Sequence, residues 1–210
     1  VEVLGIRREV ELPLVGGFQA SNALAALGLV VATGSDPGRA VAGLASLTGA
    51  PGRLQFVARH YSGAAVYVDY AHKPEALETV LRTLRPFARG RLVVVFGCGG
   101  DRDRAKRPVM GEIATRLADL TIVTDDNPRS EEPEAIRAEI VRGIAPERSN
   151  WVVIAEGRRQ AIAAGMAALR SGDDLLLIAG KGHETGQTIK GVTHHFDDAE
   201  EARALVGGAA

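Results

Sequence analysis

The chain has 210 residues, of which 46% are hydrophobic and 24% are charged, a composition typical of a globular protein with its own core. The net charge of −1 argues against a nucleic-acid-binding surface, and no apolar run is long enough to span a membrane. A single cysteine, Cys98, leaves no internal disulfide and favours a reducing compartment. With no signal peptide at the start, the cytoplasm is the expected location.

The first part of the chain predicts a weak pair of strands and a strong helix. Val1 to Leu12 alternates weakly between apolar and polar residues, which favours one or two strands. A helix follows the glycines at 16 and 17, with Ser21 or Asn22 near its start and Gly34 at its end.

A second helix is predicted from Asp36, an N-cap residue, followed by Pro37 at the first helical position. Its predicted apolar side comprises Val41, Leu44, Ala45 and Leu47. Two helices and a weak strand pair are not expected to enclose a core by themselves. Either they pack on the residues that follow, or they belong to a sheet formed by residues upstream. Thr48 to Gly52, with two glycines and a proline, is the predicted linker.

From Arg53 onward, strands and helices alternate. The predicted strands are Leu54–Arg59, Ala64–Asp69, Leu92–Phe96, Leu120–Thr124, Trp151–Ala155 and Leu175–Ala179. The predicted helices are Pro74–Leu84, Pro108–Ala118, Pro133–Gly143 and Arg158–Leu169. A hairpin over Gln187–Phe196 and a short helix from Ala199 complete the chain. This alternation indicates right-handed βαβ units and an α/β fold with a mostly parallel, Rossmann-like sheet.

Polar clusters follow three of the buried strands. The strand from Leu92 is followed by glycines and by Arg102, Arg104, Lys106 and Arg107, which would supply positive charge. The strands from Leu120 and Leu175 are followed by TDDNPRSEEPE and GKGHETGQ. Ligands of open parallel sheets bind at the carboxyl ends of strands, so one rim is predicted to carry the candidate site. That rim comprises Asp101, Arg102, Asp126, Asn127, Arg129, Lys181, His183 and Glu184. An ordinary loop with solvated charges is the alternative for each cluster alone.

Several other kinds of site are excluded by the spacing of residues. Arg102 stands where a dinucleotide-binding fingerprint needs its third glycine, and neither a phosphate-binding G-x-x-x-x-G-K-[ST] loop nor a G-x-S-x-G elbow is present. No His or Cys spacing predicts a metal cage, so no metal ligand is assigned. Cys98 is expected to be a small buried residue and His183 a loop residue.

The predicted rim offers paired opposite charges. Guanidinium groups form two parallel hydrogen bonds with carboxylates, whereas Asp126 and Glu184 suit an ammonium group. The combination indicates a zwitterionic small molecule as the ligand.

Three motifs in order, GCGGDRDRAKRP, DNPR and GKGHE, resemble the C-terminal half of the bacterial Mur ligases. Upstream, GGFQASNALAA, PGRLQ and VDYAHKPEALE also resemble segments of that family, although Gln19 stands where the family usually has Asn. The resemblance implies that residues 1–50 are the end of a central ATP-binding domain and residues 51–210 are the C-terminal domain.

The resemblance further implies an ATP-dependent amide ligase of peptidoglycan precursor synthesis. ATP and Mg²⁺ would be the cofactors, and UDP-N-acetylmuramoyl-dipeptide and an amino acid the substrates, with no nucleic acid or membrane partner. The implied ATP contacts are Asn22 near the adenine, Arg53 near the γ-phosphate and Asp69 near the ribose. The implied amino-acid contacts are Arg102, Asp126, Asn127, Pro128, Arg129, Gly180 and Glu184. The DNPR run resembles the variant that selects meso-diaminopimelate over lysine.

The family's phosphate-binding loop, magnesium ligands, carbamylated lysine and uridine-binding domain are expected to lie before Val1. No catalytic residue is therefore assigned within this chain, and the chain alone is expected to be inactive. Two alternatives remain: a stand-alone amino-acid-binding module without turnover, and a folate polyglutamylating ligase of the same architecture.

Overall fold

The computed structural model describes residues 1–207. The chain divides into two compact units, Val1–Ala50 and a second that begins at Pro51. This division falls within Thr48–Gly52, the segment whose glycines and proline mark a linker. Within the described residues, no helix has the length and apolar character needed to cross a bilayer.

The first unit contains a short antiparallel strand pair and two helices. The strands are β1 (Glu2–Val3) and β2 (Ile6–Arg7), and the helices are α1 (Gly17–Ala32) and α2 (Pro37–Gly43). The carboxylate of Asp36 accepts the backbone N–H of Arg39 at 2.8 Å and so caps α2 as predicted. The buried residues Ala23, Leu27, Val41 and Leu44 form the unit's small core.

Two details of this unit differ from the sequence prediction. Helix α1 begins at Gly17, after Gly16 at φ 103°, so Ser21 and Asn22 are exposed positions inside the helix and do not cap it. Ala45 is exposed because the chain tightens into a 3₁₀ turn over Leu44–Ser46 after α2. A period of three residues moves Ala45 off the buried face that a period of 3.6 would give it.

The second unit is an α/β layer structure. Its strands are β3 (Gln55–Arg59), β4 (Ala65–Asp69), β5 (Leu92–Cys98), β6 (Leu120–Asp125), β7 (Val152–Ile154), β8 (Leu175–Ala179), β9 (Gly186–Ile189) and β10 (Val192–His195). Its helices are α3 (Pro74–Leu84), α4 (Lys106–Leu117), α5 (Pro133–Val141), α6 (Arg158–Ala167) and α7 (Asp198–Gly207). Each predicted strand and helix is present, with boundaries that move by a few residues.

In the part of the chain that the structure describes, β3 to β8 form one six-stranded sheet in the order β3-β4-β8-β5-β6-β7. Neighbours from β4 to β7 pair in parallel, whereas β3 pairs antiparallel with β4 at one edge. The mostly parallel sheet is therefore confirmed. Strands β9 and β10 form the predicted hairpin, a separate two-stranded sheet with Ile189 opposite Val192.

The sheet is covered on both faces. Leu92 to Phe96 are completely buried, and successive side chains of a strand point to opposite faces. Val93 and Val95 pack in one core with Ile162 of α6 and Ala202 of α7. Their neighbours in β5 face the other side, where α3, α4 and α5 bury Leu77, Met110, Ile140 and other apolar residues. A sheet covered in this way leaves the ends of its strands as the place for polar loops.

Candidate functional site

A cleft of about 850 Å³ opens at the carboxyl ends of four neighbouring strands, β4, β8, β5 and β6. Because these strands are parallel, the loops that follow them meet at one edge of the sheet. The cleft is lined by Tyr70, His72, Lys73, Pro74, Glu75, Gly99, Arg102, Asp103, Ala105, Lys106, Val109, Asp126, Asn127, Arg129, Gly180 and Glu184.

The glycine-rich loop after β5 is held against the loop after β6. The N–H of Gly100 donates to the carbonyl of Asn127 at 2.8 Å, and the N–H of Asp101 donates to Glu131 at 2.7 Å. The carboxylate of Asp101 accepts the hydroxyl of Ser130 at 2.6 Å. Asp101, predicted on the rim, therefore connects two loops, while Arg102 beside it is exposed and lines the cleft.

Asn127 joins the two carboxylates of the cleft. Its Nδ2 donates to Oε2 of Glu184 at 2.9 Å and to Oδ1 of Asp126 at 3.2 Å. Its Oδ1 accepts the N–H of Thr188 in β9 at 2.9 Å, which fixes the orientation of the amide. The side chain of Asn127 thus holds Asp126 and Glu184 on the same side of the cleft.

Glu184 is kept ionised by its neighbours. Burial alone would raise its pKa, but hydrogen bonds from Asn127 and Lys181 and the positive charges of Lys181 and Arg129 outweigh burial and lower that pKa. Lys181 is completely buried, and its Nζ lies 3.1 Å from Oε2 of Glu184 and 2.5 Å from the carbonyl of Gly186. Lys181 was predicted on the rim, but it is buried beneath the cleft, where it pairs with Glu184 and does not line the cleft.

Arg129 is oriented by the β9–β10 hairpin. Its N–H donates to the carbonyl of Thr188 at 2.9 Å, and the N–H of Lys190 donates to the carbonyl of Arg129 at 2.6 Å. With φ at 54°, the backbone of Arg129 is left-handed, an uncommon conformation for a residue with a side chain. Nη1 donates to the carbonyl of Gly100 at 2.8 Å, and the side chain lines the cleft. A guanidinium group has five N–H donors, so others remain for a ligand.

Two glycines allow the loops to approach one another closely. Gly180 has φ 118°, and a Cβ at this position would lie 2.7 Å from Oδ2 of Asp126. A Cβ on Gly99 would lie 2.8 Å from Nη1 of Arg129. A side chain at either position would displace a charged group of the cleft.

The other predicted positions lie elsewhere. Pro128 is buried and does not line the cleft; its carbonyl accepts the N–H of Glu131 at 3.1 Å. The carboxylate of Asp69 accepts the N–H groups of Leu54 at 2.7 Å and of Ala71 at 2.8 Å. Burial raises the pKa of Asp69, partly offset by these hydrogen bonds and by the charge of Arg53.

The remaining two implied ATP contacts are surface residues. The guanidinium of Arg53 lies 4.8 Å from the ring centroid of Tyr70, a residue that lines the cleft. Asn22 is exposed on α1 in the first unit, and its Nδ2 donates to Oε1 of Gln19 at 3.4 Å. His183, predicted on the rim, is exposed next to Tyr70.

The charges predicted after β5 divide into two groups. Lys106 lines the cleft, and its Nζ donates to the carbonyl of His72 at 2.7 Å. Arg107 is completely buried, where it pairs with Glu131 at 2.8 Å and with Glu139 at 2.7 Å, and Arg104 also pairs with Glu139. The prediction that Arg104 and Arg107 supply charge at the site is therefore wrong for Arg107, which is buried, and Arg104 is exposed but does not line the cleft. Their acidic partners follow in the next loop and helix, which no local pattern indicates.

Other lining residues were not assigned from the sequence. Tyr70, His72 and Lys73 follow β4, and the rings of Tyr70 and His72 lie 4.5 Å apart. These residues belong to the DYAHKP run, so the motif itself was the available signal.

Among the described residues, no group of three or more His, Cys, Asp or Glu side chains could hold a metal ion. Cys98 is buried as predicted, and burial raises its pKa to about 12.

Known proteins are similar to this chain over almost its whole length. Residues 52–182 match the family described as Mur ligase, glutamate ligase domain. UDP-N-acetylmuramoyl-L-alanyl-D-glutamate–2,6-diaminopimelate ligase of Mesorhizobium japonicum is 58% identical over 206 residues, which cover 98% of this chain and 41% of that protein. A solved structure of a ligase with the same name superposes on this chain with a TM-score of 0.73 at 43% identity. The match covers 95% of this chain and 40% of the other.

A second group of structures shares the fold. Folylpolyglutamate synthase of Mycobacterium tuberculosis, complexed with ADP, has a TM-score of 0.63 at 29% identity, covering 80% of this chain and 38% of that one. The chain thus spans about 40% of the length of the proteins it resembles.

Proposed function

The chain belongs to the Mur ligase family, and we propose that it is part of an ATP-dependent amide ligase. The ligase would add meso-diaminopimelate to UDP-N-acetylmuramoyl-L-alanyl-D-glutamate in peptidoglycan precursor synthesis. Residues 51–210 would be its C-terminal, amino-acid-binding domain, and residues 1–50 the end of its central ATP-binding domain. The cytoplasm, where ATP and nucleotide-linked precursors are found, is the location that this function requires.

One observation carries the proposal: the cleft places paired opposite charges at one edge of the sheet. Arg102 and Arg129 line it together with Asp126 and Glu184. Guanidinium groups match a carboxylate, and carboxylates match an ammonium group, so the set suits one zwitterionic end of an amino acid. meso-Diaminopimelate has two such ends.

The chemistry explains why the far end matters. Bound ATP supplies the phosphoryl group that activates the carboxylate of the nucleotide-linked dipeptide. The attacking amine of diaminopimelate must lose its proton before it forms the amide, so this amine cannot keep a strong ion pair. Binding free energy must therefore come from the remote zwitterion. In this proposal Arg129 binds the remote carboxylate, and Asp126 and Glu184 bind the remote ammonium group.

The proposed ATP contacts fit to different degrees. Arg53 has an exposed guanidinium that is suited to a phosphate. Both carboxylate oxygens of Asp69 accept backbone N–H groups, but each has a further lone pair available for a ribose hydroxyl. In this proposal the ligands of Mg²⁺ belong to the part of the ligase that lies outside this chain, as the family resemblance implies.

The proposal is tested by phosphate release from the complete ligase that contains this chain. We expect phosphate release only when ATP, UDP-N-acetylmuramoyl-L-alanyl-D-glutamate and meso-diaminopimelate are all present. Replacement of diaminopimelate by L-lysine should lower kcat/KM by a large factor. Release with a folate and L-glutamate would support the folate polyglutamylating alternative. Binding of diaminopimelate without any release would support the binding module.

A further inference from the structure

Arg158, the first residue of α6, lies below the cleft with its side chain completely buried. Its Nε and Nη2 each lie 2.7 Å from an oxygen of Asp198, the equally buried first residue of α7. A bidentate pair of this kind neutralises a charge that would otherwise be costly to bury. The pair connects α6 with α7.

The same guanidinium also binds the ends of two strands. Nη2 donates to the carbonyl of Ala179 at 2.9 Å, and Nη1 donates to the carbonyl of Asp125 at 3.3 Å. Ala179 is the last residue of β8 and Asp125 the last residue of β6, and β5 lies between these strands. One side chain therefore links two strand ends that do not pair with each other.

The residues that follow these two carbonyls belong to the cleft. Gly180 follows Ala179, and Asp126 follows Asp125. Oδ2 of Asp126 comes so close to Gly180 that a Cβ there would be only 2.7 Å away. The distance between the two strand ends thus determines where the carboxylate of Asp126 lies. The charge of Arg158 also acts on the carboxylates of Asp126 and Glu184.

Asp198 accepts hydrogen bonds from two of the five N–H donors of Arg158, and the two strand-end carbonyls accept others. We propose that Arg158 is a positioning residue for amino-acid binding, because its guanidinium fixes the ends of β6 and β8 and thereby holds Asp126 beside Gly180. The inference rests on the proposed function of the cleft. Arg158 does not line the cleft, so its effect on a ligand passes through Asp126 and Gly180.

Two variants of the complete ligase test the inference. Arg158→Lys keeps the positive charge, but one ammonium group cannot reproduce a planar fork that reaches Asp198 and both carbonyls. Arg158→Gln combined with Asp198→Asn removes both charges together, so no unpaired charge stays buried. For both variants we expect the KM for meso-diaminopimelate to rise about tenfold, as expected when a hydrogen bond to a charged group is weakened. The KM for ATP and the kcat at saturating diaminopimelate should change less than twofold.

Arg85 provides a matched control at the opposite edge of the sheet. Its guanidinium pairs with Asp119 at 2.5 Å and donates to the carbonyls of Gly90 at 2.8 Å and of Ala88. Arg85→Lys therefore removes a fork to one carboxylate and two carbonyls away from the cleft, at a side chain that is 38% exposed whereas Arg158 is buried. We expect a lower melting temperature and no change in the KM for diaminopimelate.

Asp126→Asn separates the two hypotheses. If Asp126→Asn raises the KM for diaminopimelate and the Arg158 variants leave it unchanged, the positioning role is wrong while the proposed function stands. An equal rise in the KM values for ATP and diaminopimelate would also overturn the positioning role, because it indicates general disorder. If Asp126→Asn has no effect, the proposed amino-acid site is wrong and the role of Arg158 is wrong with it. A selective rise in the KM for diaminopimelate with the Arg158 variants, together with a rise for Asp126→Asn, confirms the role.

Discussion

The loops at the amino ends of the parallel strands (the amino edge) and the loops at their carboxyl ends (the carboxyl edge) use the same kinds of charged residue for different purposes. At the amino edge, Asp174 accepts the N–H groups of Arg91 and Arg170 at 2.7 Å and of Ser171 at 3.2 Å. Asp119 accepts the N–H of Leu92 at 2.7 Å and pairs with Arg85. These carboxylates close loops, and Asp174 uses both of its oxygens to accept backbone N–H groups.

At the carboxyl edge, charged groups are held in place by partners that leave part of their capacity unused. Asp126, Arg129 and Glu184 are fixed by Asn127, Gly100 and Lys181, yet all of them line the cleft. The difference teaches that residue type alone does not distinguish a binding group from a loop-closing one. The distinguishing property is whether the hydrogen-bonding capacity that remains after folding faces the cleft, as it does for Asp126, Arg129 and Glu184.

The largest expected effect is at Arg129. In the complete ligase, Arg129→Ala should lower kcat/KM for meso-diaminopimelate about 100-fold or more, because a buried carboxylate of the ligand loses its matching guanidinium. The kcat/KM for L-lysine, which has no far-end carboxylate, should change much less. Steady-state kinetics with both amino acids measure the difference, with Arg85→Ala as the control. A parallel fall for both amino acids would show that Arg129 does not discriminate.

The next largest expected effect is on stability, and it concerns the ion pairs that Arg104 and Arg107 form with Glu131 and Glu139. The Arg104 hydrogen bond and the Arg107 pair hold the pKa of Glu139 at about 2, against the burial that opposes them. The Arg107 hydrogen bond likewise holds the pKa of Glu131 at about 2. Because these folded-state values lie below the usual value for Glu, the stabilisation is present above about pH 4.3 and is lost as the pH falls towards 2.

Glu139→Gln should therefore lower the free energy of unfolding by about 2 kcal/mol at pH 7 and by much less near pH 2.5. Urea unfolding of the 210-residue chain at several pH values measures the difference. Glu112→Gln, on an exposed part of α4, is the control and should cost little at either pH. If the difference in the free energy of unfolding between wild type and Glu139→Gln stays constant with pH, the lowered pKa of Glu139 is contradicted.

At the amino edge, Asp174→Asn should change stability without changing binding. An amide oxygen accepts hydrogen bonds more weakly than a carboxylate, and the loss should be about 1 to 2 kcal/mol in the free energy of unfolding. The KM for meso-diaminopimelate in the complete ligase should stay within twofold of wild type. If Asp174→Asn raised this KM, the separation between loop-closing carboxylates at the amino edge and binding groups at the carboxyl edge would be wrong.

The smallest effect is expected at Arg102. Its side chain is exposed at the cleft and has no hydrogen bond or ion pair to other residues between 1 and 207. Arg102→Ala should leave the melting temperature unchanged, while the KM for diaminopimelate rises about fivefold, as expected for an exposed charge pair worth about 1 kcal/mol. An unchanged KM would assign Arg102 to the solvated surface.

Much of this arrangement was predictable because the signals are local. The apolar run of Leu92 to Phe96 and the cap formed by Asp36 depend on neighbouring residues, and both were predicted correctly. The rim at the carboxyl edge followed from the parallel sheet. The position of β8 between β4 and β5 was not predictable, because no local pattern records the order of strands.

The supporting residues were missed for the same reason. Arg158 and Asp198 are far apart in sequence, and each alone is an ordinary charge at a helix start. The sequence predicts Arg107 as a ligand-facing charge, because the acidic partners that bury it lie beyond the next strand. Helix α1 begins next to the predicted glycines, but Gly16 precedes it without a side-chain cap, so the expected capping by Ser21 or Asn22 is wrong. A sequence indicates where polar groups collect, and their availability depends on distant partners.

The position of β8 has a consequence for biosynthesis. Ala65 of β4 pairs with Leu175 of β8, and Leu92 of β5 pairs with the same residue. During translation, β4 and β5 leave the ribosome long before the strand that joins them. Their inner edges must then stay unpaired, and exposed edges of apolar strands favour aggregation. Nascent chains that stop before residue 175 should depend strongly on chaperones, and release from that dependence should coincide with emergence of β8.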